Sequence, residues 1–355
     1  MEYNISNDKK CDIEQNWSNP FVDLPSKPYC LICAAAGPGT VELPDGTITT
    51  AAQVKRDLQY TQLFAWNAEK KELREFIEYI RENPDYKGRL VVDSGAYSAW
   101  SRGKDFDIDE YIDYLNNSGA IDVAFWVAEA DVIPGSMGVD PTEEERAAAP
   151  EKSWQNYLYM LDRVKWPKKV VPIFHQGEDF KHLRRMLEYT FPDGDHIPYI
   201  GISPRNDVHM NERIAWYDQV WKIIKESPNP DVLTHNFGMT NISVMEQYPS
   251  YSSDSTTWLR SGAFGNIQLV VDGSLKTFYV SDRNPDAYNH IEKASPAVKE
   301  EVEKVCKRIG HGYSIKALCD AASPYLAQIF NLYVLSDWAN NFEFKGNNMF
   351  KNNLW

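Results

Sequence analysis

Six segments of this chain end a short apolar run with side chains able to do chemistry. Asp93 closes RLVVD (89–93) and is followed by Ser94 and Gly95. Glu129 and Asp131 close VAFWVAEAD (123–131), and His175-Gln176-Gly177 comes at the end of VVPIFH (170–175). Gly201 and Ser203 lie in YIGIS (199–203), His235 and Asn236 in VLTHNF (232–237), and Asp254-Ser255-Thr256 follows YSS. A charged group at the end of an apolar strand costs free energy unless it is paired or used. A lone Asp in such a place caps the next helix more often than it reacts. Six in succession point to a functional rim.

Two chemistries suit a carboxylate-rich rim. One is metal-assisted hydrolysis with His175, His235 and Asp254 as ligands. Barrel hydrolases of that kind take an H-x-H pair from their first strand, and the first apolar run here reads CLICAAA (30–36). The ligand set is therefore poor. The other is substitution at an anomeric carbon. One carboxylate attacks C1′ and holds the sugar covalently while a second group manages the leaving-group proton. That chemistry needs no metal and no cofactor.

The elements that must position these groups follow from the hydrophobic pattern. Eight short apolar runs begin at 30, 62, 89, 123, 170, 199, 232 and 251. Most are continuously apolar, as strands covered on both faces by helices are. Amphipathic segments separate them, such as 69–82 with Leu73, Phe76, Ile77 and Ile80 on one side. Others span 108–115, 154–164, 180–189 and 213–224, with short ones at 51–58 and 242–247. This alternation predicts an α/β chain, a (β/α)8 TIM barrel over 30–265, whose catalytic groups belong at the C-terminal strand ends. Residues 1–29 read as an N-terminal extension. In 266–355, Asp272-Gly273 predicts a hairpin between 267–271 and 277–280. Helical segments at 297–308 and 315–338 complete a C-terminal appendage, and the Asn-rich end reads as poorly ordered. Segment 133–150 reads as a lid over the site or a passive surface loop.

The formal net charge of −14 argues against a protein that coats nucleic acid. It leaves room for a local grip on phosphate, at 163–169 (RVKWPKK) or 181–185 (KHLRR), although both runs equally suit solvated helix ends. No run is apolar for long enough to span a bilayer, and the first 17 residues lack the apolar core of a signal peptide. A soluble cytoplasmic protein is the expectation. Five cysteines at irregular spacing do not make a disulfide framework. Cys30 and Cys33 read as buried strand thiols, since residues three apart on a strand point to opposite faces.

These segments resemble the tRNA-guanine transglycosylases (queuine tRNA-ribosyltransferases). Val92-Asp93-Ser94-Gly95-Ala96-Tyr97 is similar to the family's D-S-G-G-[FY] segment. Asp131-Val132-Ile133-Pro134, with Pro141-Thr142-Glu143-Glu144, is similar to D-x-x-x-P…T-x-E-E. Phe174-His175-Gln176-Gly177 resembles V-Q-G-G, and 199–202 the Gly-rich base-binding strand. Phe237-Gly238-Met239-Thr240 resembles M-G-[VI]-G, and Asp254-Ser255-Thr256 the D-S nucleophile segment. The likeness covers roughly residues 30 to 260. The family's C-x-C-x-x-C zinc site is absent, and Cys306, His311 and Cys319 do not reproduce it, so no zinc subdomain is expected. HNFGMT…YSSDSTTWL, and the lack of a tRNA-binding domain, resemble the DpdA-type branch of bacterial modification islands and phages. That branch exchanges guanine in DNA for a 7-deazaguanine such as preQ0.

The resemblance implies Asp254 as nucleophile on C1′ and Asp93 as general acid/base. It implies that Asp131 and Gln176 bind the purine edge, with the Gly201 amide donating to its carbonyl oxygen. Tyr97 and Met239 would sandwich the ring, unless they are ordinary core, and Ser94 and His235 complete the base-side set. Partners would be DNA and a free 7-deazaguanine base, with partner proteins or a homodimer left open. Alternatives are the same exchange on tRNA or on a nucleoside or nucleotide, and a catalytically silent binding subunit.

Overall fold

The computed structural model describes residues 13–22, 24, 30–136, 138–321 and 323–345. Most of the expected N-terminal extension and all of the Asn-rich end lie outside them. Nine strands form one parallel, nearly closed, barrel-like sheet with helices between them: β1 (Cys30–Ala34), β2 (Thr61–Ala65), β3 (Leu90–Asp93), β4 (Ala124–Ala128), β5 (Val170–Val171), β6 (Ile173–His175), β7 (Tyr199–Ser203), β8 (Leu233–Asn236) and β9 (Ser252–Ser255). The chain falls into two compact units. One comprises Gln62–Phe237 and the described residues before 27; the other comprises the described parts of 27–61 and 238–352.

In the first unit the strand order runs β5-β4-β3-β2 on one side and β8-β7-β6 on the other. The single residue between β5 and β6 is Pro172, which has no N–H to give to a ladder. The run 170–175, expected as one strand, is therefore broken in two. Its first half pairs with β4, Val127 against Val170, and its second half with β7, Ile173 against Gly201. Leu90, Val91, Val92, Trp126, Val127, Ile200 and Ile202 are buried along these strands, which explains their unbroken apolarity.

Segment 133–150 is not a long loop. A helix starts at Glu143 and runs to Leu161 through Pro150. Thr142 and Glu145 form a reciprocal capping box: Glu145 N–H donates to Thr142 Oγ1 (3.2 Å) and Thr142 N–H to Glu145 Oε2 (2.7 Å). Glu143, Glu144 and Glu145 also face the positive end of the helix dipole. In the basic run 163–169 two lysines are taken up inside the fold. Lys168 is buried between Asp193 (2.6 Å) and Asp195 (2.5 Å), and buried Lys169 donates to the carbonyls of Ile121 and Asp122, both at 2.9 Å.

In the second unit β1 and β9 pair in parallel, with Ile32 opposite Asp254. The expected hairpin forms between β10 (Asn266–Val271) and β11 (Ser274–Tyr279). Its turn residues Asp272 (φ 51°) and Gly273 (φ 68°) are both left-handed, as a two-residue hairpin turn requires. The expected segment 315–338 is two helices, Ile315–Asp320 and Tyr325–Asn340, with Pro324 at the N-cap of the second. Tyr325–Asn340 is anchored by polar groups as well as by its apolar face. Asn331 Oδ1 accepts from Gln268 N–H (2.7 Å), and its amide donates to the Trp258 and Asn266 carbonyls, both at 3.2 Å.

Candidate functional site

In the first unit β3 ends at Asp93, whose Oδ2 accepts the Gly95 N–H at 3.1 Å. Gly95 is left-handed (φ 74°), and a Cβ there would meet Asn67 Oδ1 at 2.1 Å, so any other residue would be strained here and would displace Asn67. Asn67 in turn donates to the Gly95 carbonyl (2.8 Å). Ser94 is buried, and its hydroxyl accepts from Ala96 N–H (3.2 Å). Tyr97 is 62% exposed, with its ring 5.6 Å from that of Trp100, so it is not ordinary core. Trp100 donates its indole N–H to Gly135, just beyond β4 (2.8 Å).

Glu129 and Asp131 follow the end of β4. The hydroxyl of buried Tyr111 donates to the Ala128 carbonyl (3.1 Å); burial pushes its pKa well up, and the charges of Asp93 and Asp131 push it further. The charges of both carboxylates thus act on one phenol. Asp131 is nearly buried, and its Oδ2 lies 3.3 Å from His175 Nε2 at the end of β6. The approach is an ion-pair distance without hydrogen-bond alignment. Burial alone would lower the imidazole pKa; Asp131 and Glu178 together outweigh it and raise it. Glu178 Oε2 accepts the His175 backbone N–H (3.2 Å), and burial raises the Glu178 pKa. Gln176 Oε1 accepts from Arg205 N–H (3.0 Å).

Two base-side expectations are altered here. The Gly201 N–H, expected to meet a purine carbonyl, donates to the Pro172 carbonyl at 2.8 Å and is used in the sheet. Gly201 is instead required for packing: a Cβ would meet Phe237 at 2.6 Å and Ile173 at 3.1 Å. His235 is fully buried, its ring 4.8 Å from Trp126 and 4.5 Å from Phe237, so it belongs to an aromatic cluster beneath the strand ends.

In the second unit Asp254 is 9% exposed on a strand of buried serines. Its Oδ1 accepts the Gly238 N–H at 2.6 Å. Met239 is buried beside that turn, as a core residue is. Burial pushes the Cys33 thiol up to about 12, with Lys55 opposing and Asp254 reinforcing the shift. Lys55 is itself buried, and its ammonium donates to the carbonyl of Ala35 (3.0 Å), a non-glycine residue at φ 70°. The end of β1 is thus strained and pinned.

Glu178, Tyr111 and Lys55 were not singled out by their sequence context. Glu178 lies in the HQGED run, and a third acid beside His175 was the one available signal. On the outer face of the first unit, Lys181, Arg184 and Arg185 line a shallow groove with Trp154, Glu188 and Tyr189, and Arg185 is paired with Glu151 (2.7 Å). Among the described residues no group of three or more His, Cys, Asp or Glu side chains is placed to hold a metal ion, and no helix is long and apolar enough to cross a membrane. No protein-family description matches the chain, and no curated protein matches it.

Proposed function

We propose that this chain is a base-exchange transglycosylase that replaces guanine in DNA with a preQ0-like 7-deazaguanine. The observation that carries the reading is Asp254, a carboxylate almost shut off from solvent and oriented by a backbone donor. A carboxylate is costly to bury unless it is paired or used. Counting β5 and β6 as one strand divided at Pro172 makes eight strands, the number of a (β/α)8 barrel, with the hairpin and helices after 265 as an appendage and no zinc subdomain.

In this reading Asp254 attacks C1′ of the deoxyribose, the C1′–N9 bond breaks, and guanine leaves with a proton from Asp93. Asp93 then takes the N9 proton of the incoming base, whose N9 attacks C1′ and releases Asp254. Asp131 and Gln176 bind the purine edge and Tyr97 covers the ring. The target base is flipped out of the duplex or presented on a single strand. The work takes place in the cytoplasm, of the host where the gene is a phage's. A second reading, exchange on tRNA or a free nucleotide, is favoured for a small substrate by the charge of −14 and by the use of Lys168 and Lys169 inside the fold.

Nucleoside mass spectrometry of DNA and tRNA from cells with and without the protein tests this. A 7-deazaguanine deoxynucleoside that appears with the protein and vanishes with Asp254→Asn is the expected result. Modification confined to tRNA selects exchange on tRNA, and an unchanged nucleoside profile in both pools overturns exchange on either polymer.

A further inference from the structure

We propose that His175 is a catalytic residue of this site: held by Asp131, it donates a charge-assisted hydrogen bond to the carbonyl oxygen O6 of the bound purine. The inference rests on the purine reading above and assigns a specificity-determining donor within it.

A bound guanine or 7-deazaguanine brings a carbonyl oxygen that must find a donor once it is desolvated. The Gly201 N–H is committed to Pro172 and cannot serve. The side chains around the ends of β3, β4 and β6 are mostly acceptors: Asp93, Asp131 and Glu178. Nearby guanidinium groups are engaged elsewhere, Arg185 with Glu151 (2.7 Å) and Arg205 with Asp207 (2.5 Å). Gln176 offers a neutral amide. His175 is the group in this cluster that can carry positive charge.

Its placement suits the task. Nε2 faces Asp131 at 3.3 Å, and the backbone N–H is tied to Glu178 at 3.2 Å, which limits the ring's freedom. The side chain remains 31% exposed although Nε2 itself is buried. An imidazolium has two N–H donors; with Nε2 turned to Asp131, Nδ1 is the second. As the C1′–N9 bond breaks, negative charge spreads through the purine onto O6. A cationic donor there strengthens as the reaction proceeds, whereas a neutral one gains less.

The groups that set the imidazole's charge are Asp131 from the end of β4 and Glu178 from the loop after β6. One step further out, Arg185 acts on Glu178, and Glu129 itself feels Asp131 and Glu178. The net effect favours the imidazolium. Its donor strength is therefore present at low pH and is lost as pH rises through the His175 pKa.

Calorimetric titration of the full chain with 7-deazaguanine, and with 2-aminopurine, which lacks O6, tests the assignment across about pH 5.5 to 8.5. Affinity for 7-deazaguanine is expected to fall about tenfold as His175 deprotonates, while 2-aminopurine shows no such limb. His175→Gln should flatten the limb, and Glu178→Gln should move it to lower pH. Nitrogen NMR of the unaltered protein gives a readout independent of variant folding: 7-deazaguanine should raise the His175 pKa. If 7-deazaguanine binds but neither moves that pKa nor responds to His175→Gln, or if 2-aminopurine shows the same limb, the inference fails and the transglycosylase reading stands. If neither base binds at any pH, the purine reading itself fails.

Discussion

The Gly238 backbone N–H donates to Oδ1 of Asp254 at 2.6 Å, joining the turn after β8 to the third residue of β9. Gly238 reaches this position with φ at 59°. A short hydrogen bond from the backbone holds the side chain's rotamer. Asp254→Asn keeps an oxygen for Gly238 but removes the nucleophile. Its melting temperature should stay within a few degrees of the parent, while base exchange and the covalent enzyme–nucleic acid adduct both disappear. Denaturing electrophoresis of a trapped reaction checks this. An adduct that survives the substitution assigns the nucleophile to another residue.

Asp93→Asn should behave differently. Gly95 N–H can still be accepted by the amide oxygen, so the turn persists. Proton transfer is lost, at a cost of ~100- to 10,000-fold in turnover. Because attack on C1′ does not require Asp93 as nucleophile, a fraction of adduct should still accumulate. Single-turnover kinetics with adduct quantitation separates the two variants; no adduct at all with Asp93→Asn, and normal adduct with Asp254→Asn, would reverse their roles.

The strands were legible because four or five consecutive apolar residues between turn signals suit a strand buried on both faces and little else. YIGIS is β7 to the residue, and Asp272-Gly273 turned where a two-residue hairpin should. Depth was not legible. His235 and Asp131 both follow apolar runs, yet one is locked among Trp126 and Phe237 while the other meets His175 near solvent. Which polar side chain faces the open end depends on register and on neighbours from other strands. Pro150 hid the start of the helix at Glu143, since proline in a helix interior normally breaks it. Pro172 hid the fate of the Gly201 amide: which carbonyl it meets is set by the pairing between β6 and β7.

Cys33, Cys306 and Cys319 should be chemically quiet. Burial pushes Cys33 and Cys306 up to about 12 and Cys319 to about 11, so at neutral pH these thiols stay protonated. The thiolate is the form that alkylates and binds zinc. Maleimide labelling read by peptide mass spectrometry should leave Cys33 and Cys306 unmodified in the folded protein, with full labelling on unfolding. Elemental analysis should find no stoichiometric zinc. Rapid native labelling of Cys306, or one zinc per chain, would show a thiolate that this fold does not favour.

Glu129 gives the sharpest test of electrostatics in the fold. Its Oε1 accepts the Ile173 N–H at 2.7 Å, just past the Pro172 break, while Oε2 is buried with no partner. Burial holds its pKa well above the ordinary glutamate value, partly offset by Ile173 and reinforced by Asp131 and Glu178. Between the unfolded value of about 4.3 and the raised folded value, the native state binds one more proton than the unfolded chain. Stability from this group therefore falls as pH rises through that window. Glu129→Gln keeps an oxygen for Ile173 and has no proton to lose. It should become progressively more stable than the parent as pH rises above about 4.3, until Glu129 ionises in the folded parent as well. Glu129→Ala leaves the Ile173 N–H unpaired and should cost about 1–3 kcal/mol. His175, with its raised pKa, loses stabilisation as pH rises through its own folded value, so it adds a slope of the same sign at higher pH. Comparing Glu129→Gln with the parent by denaturant titration at each pH cancels that contribution. A stability difference that stays flat or shrinks with rising pH would mean that Glu129 is ionised in the folded protein.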